Sequence, residues 1–166
     1  MAGTRARFAS MLKEHIAPSL REMGFKGSGQ RYTFPHPAAH VSLGFDRSHL
    51  WTDPEHVCFR LMMSIVGLDE WEAARAERPD LPVRPRPYEG PPAKQFIGIG
   101  LPRDRHWWVL ASEASGLDAS PPRAGSRVVT VPGPIVSKDE VDLARQVLDA
   151  IRDHVIPRIQ EELRGE

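Results

Sequence analysis

Apolar residues recur at three- and four-residue steps through the first two dozen positions: Phe8, Met11, Leu12, Ile16, Leu20 and Met23. That spacing puts them on one stripe of a helix, which the pattern predicts from Thr4, as N-cap, to Met23. Gly24 follows and can take the left-handed conformation that ends helices, and Pro18 predicts a bend inside the helix. After a flexible turn at Gly27-Ser28-Gly29, Gln30 to Phe34 reads as a strand. His40 to Asp46 alternates apolar and polar residues, the mark of a half-buried strand. Val57 to Val66 is the longest apolar run and predicts a central strand. Asp69 can cap a short helix over Glu70 to Arg78, with Trp71 and Ala74 inward.

Pro79, Pro82, Pro85, Pro87, Pro91 and Pro92 exclude helix and ladder pairing from 79–92, so this stretch is a long loop. Two more strands are expected at Gln95 to Leu101 and His106 to Ala111. A Gly-, Ser- and Pro-rich loop then spans 112–126, and Arg127 to Val131 is a candidate edge strand. Ser137-Lys138-Asp139-Glu140 reads as a capping box opening a last helix, carried by Val141, Ala144, Val147, Leu148, Ile151, Val155 and Ile159. Leu12-Lys-Glu-His-Ile-Ala-Pro18-Ser-Leu20 echoes Ile151-Arg-Asp-His-Val-Ile-Pro157-Arg-Ile159, as two helices meeting one packing problem. The expected architecture is α+β: a single domain over 1–166, with one mostly antiparallel sheet of five or six strands and two long helices packed on one face.

The helix, Gly24-Phe25-Lys26, two strands of which the second ends Asp46-Arg47-Ser48, then Phe59-Arg-Leu-Met-Met-Ser-Ile65, resemble a bacterial family, domain of unknown function 4304. His106-Trp107-Trp108 and Ile156-Pro157 are similar to that family's tail. The resemblance covers most of the chain and implies an α+β domain without an assigned activity. The family's second strand tends to end in Gln-Lys-Ser, and its third to carry an asparagine where Met62 or Met63 stands here.

Charge and cysteine content narrow the function classes. Lys plus Arg and Asp plus Glu are 22 each, so no net field draws the chain to nucleic acid or an anionic membrane. No apolar stretch approaches the roughly 18 residues of a spanning helix, no apolar leader follows Met1, and Cys58 has no second cysteine to pair with. A cytoplasmic protein is expected, and arginine far outnumbering lysine among many prolines and alanines suggests a GC-rich bacterial genome.

Strand alternation assigns Val41, Leu43, Phe45, Val57, Phe59, Leu61, Met63, Ile65, Ile97 and Ile99 to a core face. It leaves Arg31, Thr33, His40, Ser42, Asp46, Cys58, Arg60, Met62, Ser64, Phe96, Gly98 and Gly100 on the other. That second face is either solvated, partly under the proline-rich loop, or a site. Arg60, a charge on a central strand, needs a partner: Asp46 or an external anion. The candidate binding residues are Arg60, Asp46, His40, Arg47, His106, Trp107 and Trp108, the two tryptophans pointing to opposite faces of one strand. His36 and His40 are not a metal pair, because the prolines around His36 forbid the helix that would bring them together. No cofactor or metal is implied, and nothing identifies a base for Cys58. These features point to a binding module of regulatory or immunity type that recognises a protein or a small anionic ligand. The alternative is a small enzyme with His40, Asp46, Arg60 and His106 around a pocket.

Overall fold

The computed structural model describes residues 2–49, 52–101, 107–115 and 135–164. The first helical unit runs α1 (Thr4–Met11), a π-helical turn (Leu12–Ile16) and α2 (Ala17–Glu22). The last runs α4 (Glu140–Ala150), a π-helical turn (Ile151–Val155) and α5 (Ile156–Leu163). The repeated sequence therefore has a physical counterpart. Each π turn stands just before a proline, Pro18 or Pro157, whose ring cannot sit over a regular α-helical turn or donate its hydrogen bond. The wider turn accommodates the ring where the sequence alone suggests a bend.

Between these units lie β1 (Lys26–Ser28), β2 (Arg31–Thr33), β3 (Ala39–Arg47), β4 (His56–Gly67), α3 (Leu68–Glu77), β5 (Lys94–Ile97), β6 (Trp108–Ala111) and β7 (Ile135–Ser137). Among the described residues the sheet is seven-stranded, in the order β1-β2-β3-β4-β6-β7, with β5 also on β4. All pairings are antiparallel except β6 with β7. β4 is central: all of β3 pairs with Phe59 to Gly67 on one edge, while β6 pairs with His56 to Phe59 and β5 with Met62 to Ile65 on the other.

Val41, Leu43, Phe45, Val57, Phe59, Leu61, Met63 and Ile65 form one core with Phe8, Met11, Ile16 and Leu20 of the first helical unit and Leu143, Val147, Ile151 and Val155 of the last. At about 1.5–3 kcal/mol per fully buried side chain this cluster dominates the stability. Arg7 ties the N-terminal helix to the far end of the chain: it pairs with Glu140 and donates to the carbonyls of Ala111 (3.1 Å) and Lys138 (2.6 Å).

Several expectations are corrected. Gly27 and Ser28 are not a loose turn but part of β1, hairpinned to β2. Gly27 has φ +134°, and a side chain there would lie 2.4 Å from the Arg31 carbonyl oxygen, so the hairpin needs glycine. Gly3 rather than Thr4 precedes the first helix, and Gly67 rather than Asp69 precedes α3. Asp139, not Ser137, caps α4, accepting from the Val141 (2.9 Å) and Asp142 (3.0 Å) amides, while Glu140 turns to Arg7. In β5, Phe96 rather than Ile97 packs against the core, because the register sets Phe96 across from Met63 and leaves Ile97 half exposed. The expected edge strand over 127–131 and most of the 112–126 loop lie outside the described residues. Among the described residues, no helix is long and apolar enough to cross a membrane.

Candidate functional site

Side chains alternate across strands, so the face opposite the core carries cross-strand rows that the register fixes. One row runs Lys26, Thr33, Ser42, Ser64 across β1 to β4; the next runs Ser28, Arg31, Gly44, Met62. Two buried hydroxyls at the centre need acceptors, and the proline-rich loop supplies them. Ser42 Oγ donates to the Pro85 carbonyl (2.7 Å) and Ser64 Oγ to that of Arg86 (2.8 Å). Prolines are apt here: they give up no amide to a ladder and still present carbonyls. Trp71, buried on α3, holds the loop's start through its indole N–H to the Pro82 carbonyl (3.2 Å), and Arg78 holds its end through the Pro91 carbonyl (2.9 Å). Gly44 lets the loop sit this low, since a Cβ there would be 2.8 Å from the Pro87 ring. The loop is thus a strap lying on β3 and β4, with Pro85 and Pro87 buried and Arg84, Arg86 and Tyr88 outward.

Along the strap three clefts follow β3. One of about 280 Å³ lies at the start of the strand, among Phe34, His36, Ala39, His40, Leu68 and Arg84. A second of about 280 Å³ lies between Lys26, Arg31, Arg84 and Pro85, and a third of about 220 Å³ between Arg31, Gly44, Asp46, Arg47 and Tyr88. Neighbouring clefts share walls: Lys26, Thr33, Ser42 and Arg84 border the first two, Arg31 and Pro87 the last two. Together they make one groove.

The groove is cationic. No ion pair of Lys26, Arg31, Arg47 or Arg84 with a carboxylate is present among the described residues. Arg86 is held by Glu89 (3.0 Å), and Arg31 and Arg86 both approach the Tyr88 ring, at 5.8 and 5.1 Å from its centroid. Asp46 is the one carboxylate on the groove walls among the described residues, and Arg60 Nε binds it at 3.0 Å. The field reaches His40: burial, then the nearby Arg84 guanidinium, lowers its pKa from the ordinary 6.5 against the pull of Glu72.

Of the candidate residues, Arg60 and Asp46 face each other across β3 and β4 and form the ion pair, with the Arg60 guanidinium 4.5 Å above the Trp107 ring. Arg60 thus has its partner within the chain. His40 and Arg47 both line the groove, near its opposite ends. His40 lies six residues along β3 from Asp46, roughly 20 Å away at strand rise, so His40, Asp46 and Arg60 do not converge on one pocket. Trp108 is corrected to a core residue: it is 2% exposed and stacks on Phe59 at 5.9 Å, leaving no surface for a ligand. Trp107 is 9% exposed and packs with Cys58, Val109 and Val136, so its broad face serves Arg60 rather than an incoming group. His106 lies outside the described residues.

Cys58 is no nucleophile: burial, helped by the charge of Asp53, pushes its thiol up to about 12. An unforeseen acid–histidine pair stands beside it, His56 Nδ1 with Asp53 (3.0 Å), in the turn leading into β4. Burial raises the Asp53 carboxyl, but hydrogen bonds from the Glu55 amide and from His56 outweigh it and hold the group below its ordinary range. His56 Nε2 is buried with no hydrogen-bond partner among the described residues, so the ring cannot reach a substrate from that side. The described residues hold no cluster of three metal-ligating side chains.

The sequence reading missed Lys26, Arg84 and Tyr88. Each is an ordinary surface residue by itself, and the only available signal was the alternation of Arg84, Arg86 and Tyr88 with Pro85 and Pro87. The chain matches no protein-family model, and no curated protein or solved structure matches it.

Proposed function

We propose that this protein is a non-enzymatic binding module, of regulatory or immunity type, that recognises an anionic ligand or the anionic surface of a protein partner. The groove between the β1–β2 hairpin and the proline strap is the recognition surface, and the two helical units cover the opposite face of the sheet. One observation carries the reading: in a chain of zero net charge, Lys26, Arg31, Arg47 and Arg84 are gathered in one groove with no carboxylate partner among the described residues. Cations left unpaired in a concave surface raise the local concentration of anions and contribute charge-assisted hydrogen bonds on contact. The pinned strap further reduces the ordering cost of binding. The enzyme alternative has less support, since Cys58 stays protonated and His40 stands far from Asp46 and Arg60.

The same reading places the protein in the cytoplasm of a bacterium, in keeping with its lone cysteine and arginine-rich usage. Membership of domain of unknown function 4304 is part of the proposal, supported by the order of elements up to β4. Calorimetric titration with pyrophosphate and polyglutamate tests the function. Binding of at least one of them, weakened by Arg84→Ala and by added salt, is expected. Heat of dilution alone for both, at low ionic strength, refutes it.

A further inference from the structure

The shape of the groove narrows the ligand. β3, which runs along it at the foot of the strap, is nine residues long, roughly 30 Å at strand rise, and the three clefts follow it from Ala39 to Arg47. A lone phosphate or carboxylate would fill a small part of that length. The cations are spaced for a linear ligand. Lys26 stands in the row of Ser42 and Arg31 in the row of Gly44, two residues further along β3. Along the strand direction their offset is about 7 Å, the distance between same-side side chains of an extended peptide, with a sideways step of about 4.8 Å from β1 to β2. The strap repeats the spacing, with Arg84 and Arg86 outward and Pro85 buried between them. At the β3 start Phe34, Ala39 and Leu68 give the cleft of about 280 Å³ an apolar wall beside Lys26, His40 and Arg84, which suits an apolar side chain next to a carboxylate.

Single-stranded nucleic acid fits less well. Such ligands need aromatic faces on which bases stack, and the exposed ring here, Tyr88, is already approached by Arg31 and Arg86.

We infer that the groove holds an extended acidic segment of a protein partner, with alternate carboxylates on Lys26, Arg31 and Arg84 and one apolar side chain in the cleft beside Phe34 and Leu68. The inference rests on the anion-binding reading above and adds the class of the ligand and its conformation. The experiment is fluorescence anisotropy on the intact chain with a labelled peptide of about nine residues, the number that spans β3 at strand rise, carrying glutamate at alternate positions and leucine at one end. Competitors are a scrambled peptide with its glutamates in one block, the same peptide with serine for leucine, pyrophosphate, and an oligothymidylate of similar length.

The alternating peptide should bind about tenfold more tightly than the block peptide or pyrophosphate. It should lose about tenfold on Arg31→Ala or Lys26→Ala, and lose affinity again when serine replaces leucine. Both substituted positions are exposed, and an unchanged thermal melt shows that the variants fold. If pyrophosphate competes as well as the peptide and peptide order makes no difference, the acidic-segment inference fails while the anion-binding reading stands. Tighter, arginine-dependent binding of oligothymidylate overturns it in favour of nucleic acid. No binding by any of these probes removes both readings.

Discussion

Replacing Gly44 with alanine tests whether the strap rests on the sheet as described. Gly44 lies in the extended β3 backbone and has no positive φ, so alanine is not strained there and the perturbation is the added methyl group. Its Cβ would stand 2.8 Å from both Cβ and Cγ of Pro87 and 3.4 Å from the Gln30 carbonyl oxygen. Carbon atoms in ordinary contact are about 3.5–4.0 Å apart, so the Pro87 ring must retreat by roughly 1 Å. The ring cannot rotate away as a long side chain could; the strap's backbone must move with it. Overpacking of this kind costs about 1–3 kcal/mol, and the lower entropy of the unfolded alanine chain offsets about 0.4–1 kcal/mol. A lift of that size also stretches the Ser64–Arg86 hydrogen bond from 2.8 Å beyond useful length, and a buried hydroxyl left unpaired costs about 1–3 kcal/mol. The expected net loss is about 1–5 kcal/mol by urea unfolding, with faster amide exchange in the strap and weaker binding of the alternating acidic peptide. A Gly44→Ala protein as stable as wild type or more so, with peptide affinity unchanged, would show that Pro87 does not sit on Gly44 and that the groove has no such wall.

Ile151→Ala removes a side chain that is 0% exposed, in the core between the last helical unit and the sheet. Urea unfolding should show a loss of about 2–5 kcal/mol, and a change below about 0.5 kcal/mol would place Ile151 at the surface. With its thiol held at about 12 against the ordinary 9.0, Cys58 should have about a thousandfold less thiolate at neutral pH than a free cysteine. Iodoacetamide should therefore label it only after denaturation, and rapid labelling of the native protein contradicts its burial. His40 is held below its ordinary 6.5 by burial and then by Arg84, so folding disfavours its protonated form. Its contribution to stability is full above the unfolded value and is lost as pH falls through that value to the folded pKa. Histidine proton NMR titration should show the pKa rising in Arg84→Ala but still below 6.5, because burial remains; no movement would mean that the guanidinium does not face the ring.

What the sequence by itself determined is whatever depends on one segment's exchange with water. The helical stripe of Phe8, Met11, Leu12, Ile16 and Leu20 and the alternation through Val41, Leu43 and Phe45 each mark a buried face by period alone, and that face is buried in the structure. Pro79 to Pro92 likewise excluded helix and ladder from its own stretch, and the structure has neither there. The repeated helical motif was visible, but the π turns before Pro18 and Pro157 were not, since a bend and a widened turn satisfy the same residues.

Only the tertiary structure decided which strands pair and in what register. β5 carries apolar side chains on both faces, so its pattern could not choose Phe96 over Ile97 for the core; pairing with Met62 and Met63 on β4 did. β1 is exposed at all three positions and exists as a strand because β2 lies beside it. The candidate site is of this kind throughout. Arg60 could be paired from sequence because its carboxylate lies on the adjacent strand at a readable register. Lys26, Arg31 and Arg84 could not be grouped, because nothing local distinguishes a cation facing a groove from one facing solvent. They come together because Ser42 and Ser64 need acceptors, Gly44 leaves room for Pro87, and the strap meets both demands by lying across two strands remote from it in sequence. Periodicity is a property of a segment and can be read along the chain. A groove is a property of segments that meet, and the hydrogen bonds and close contacts that bring them together form only in the fold.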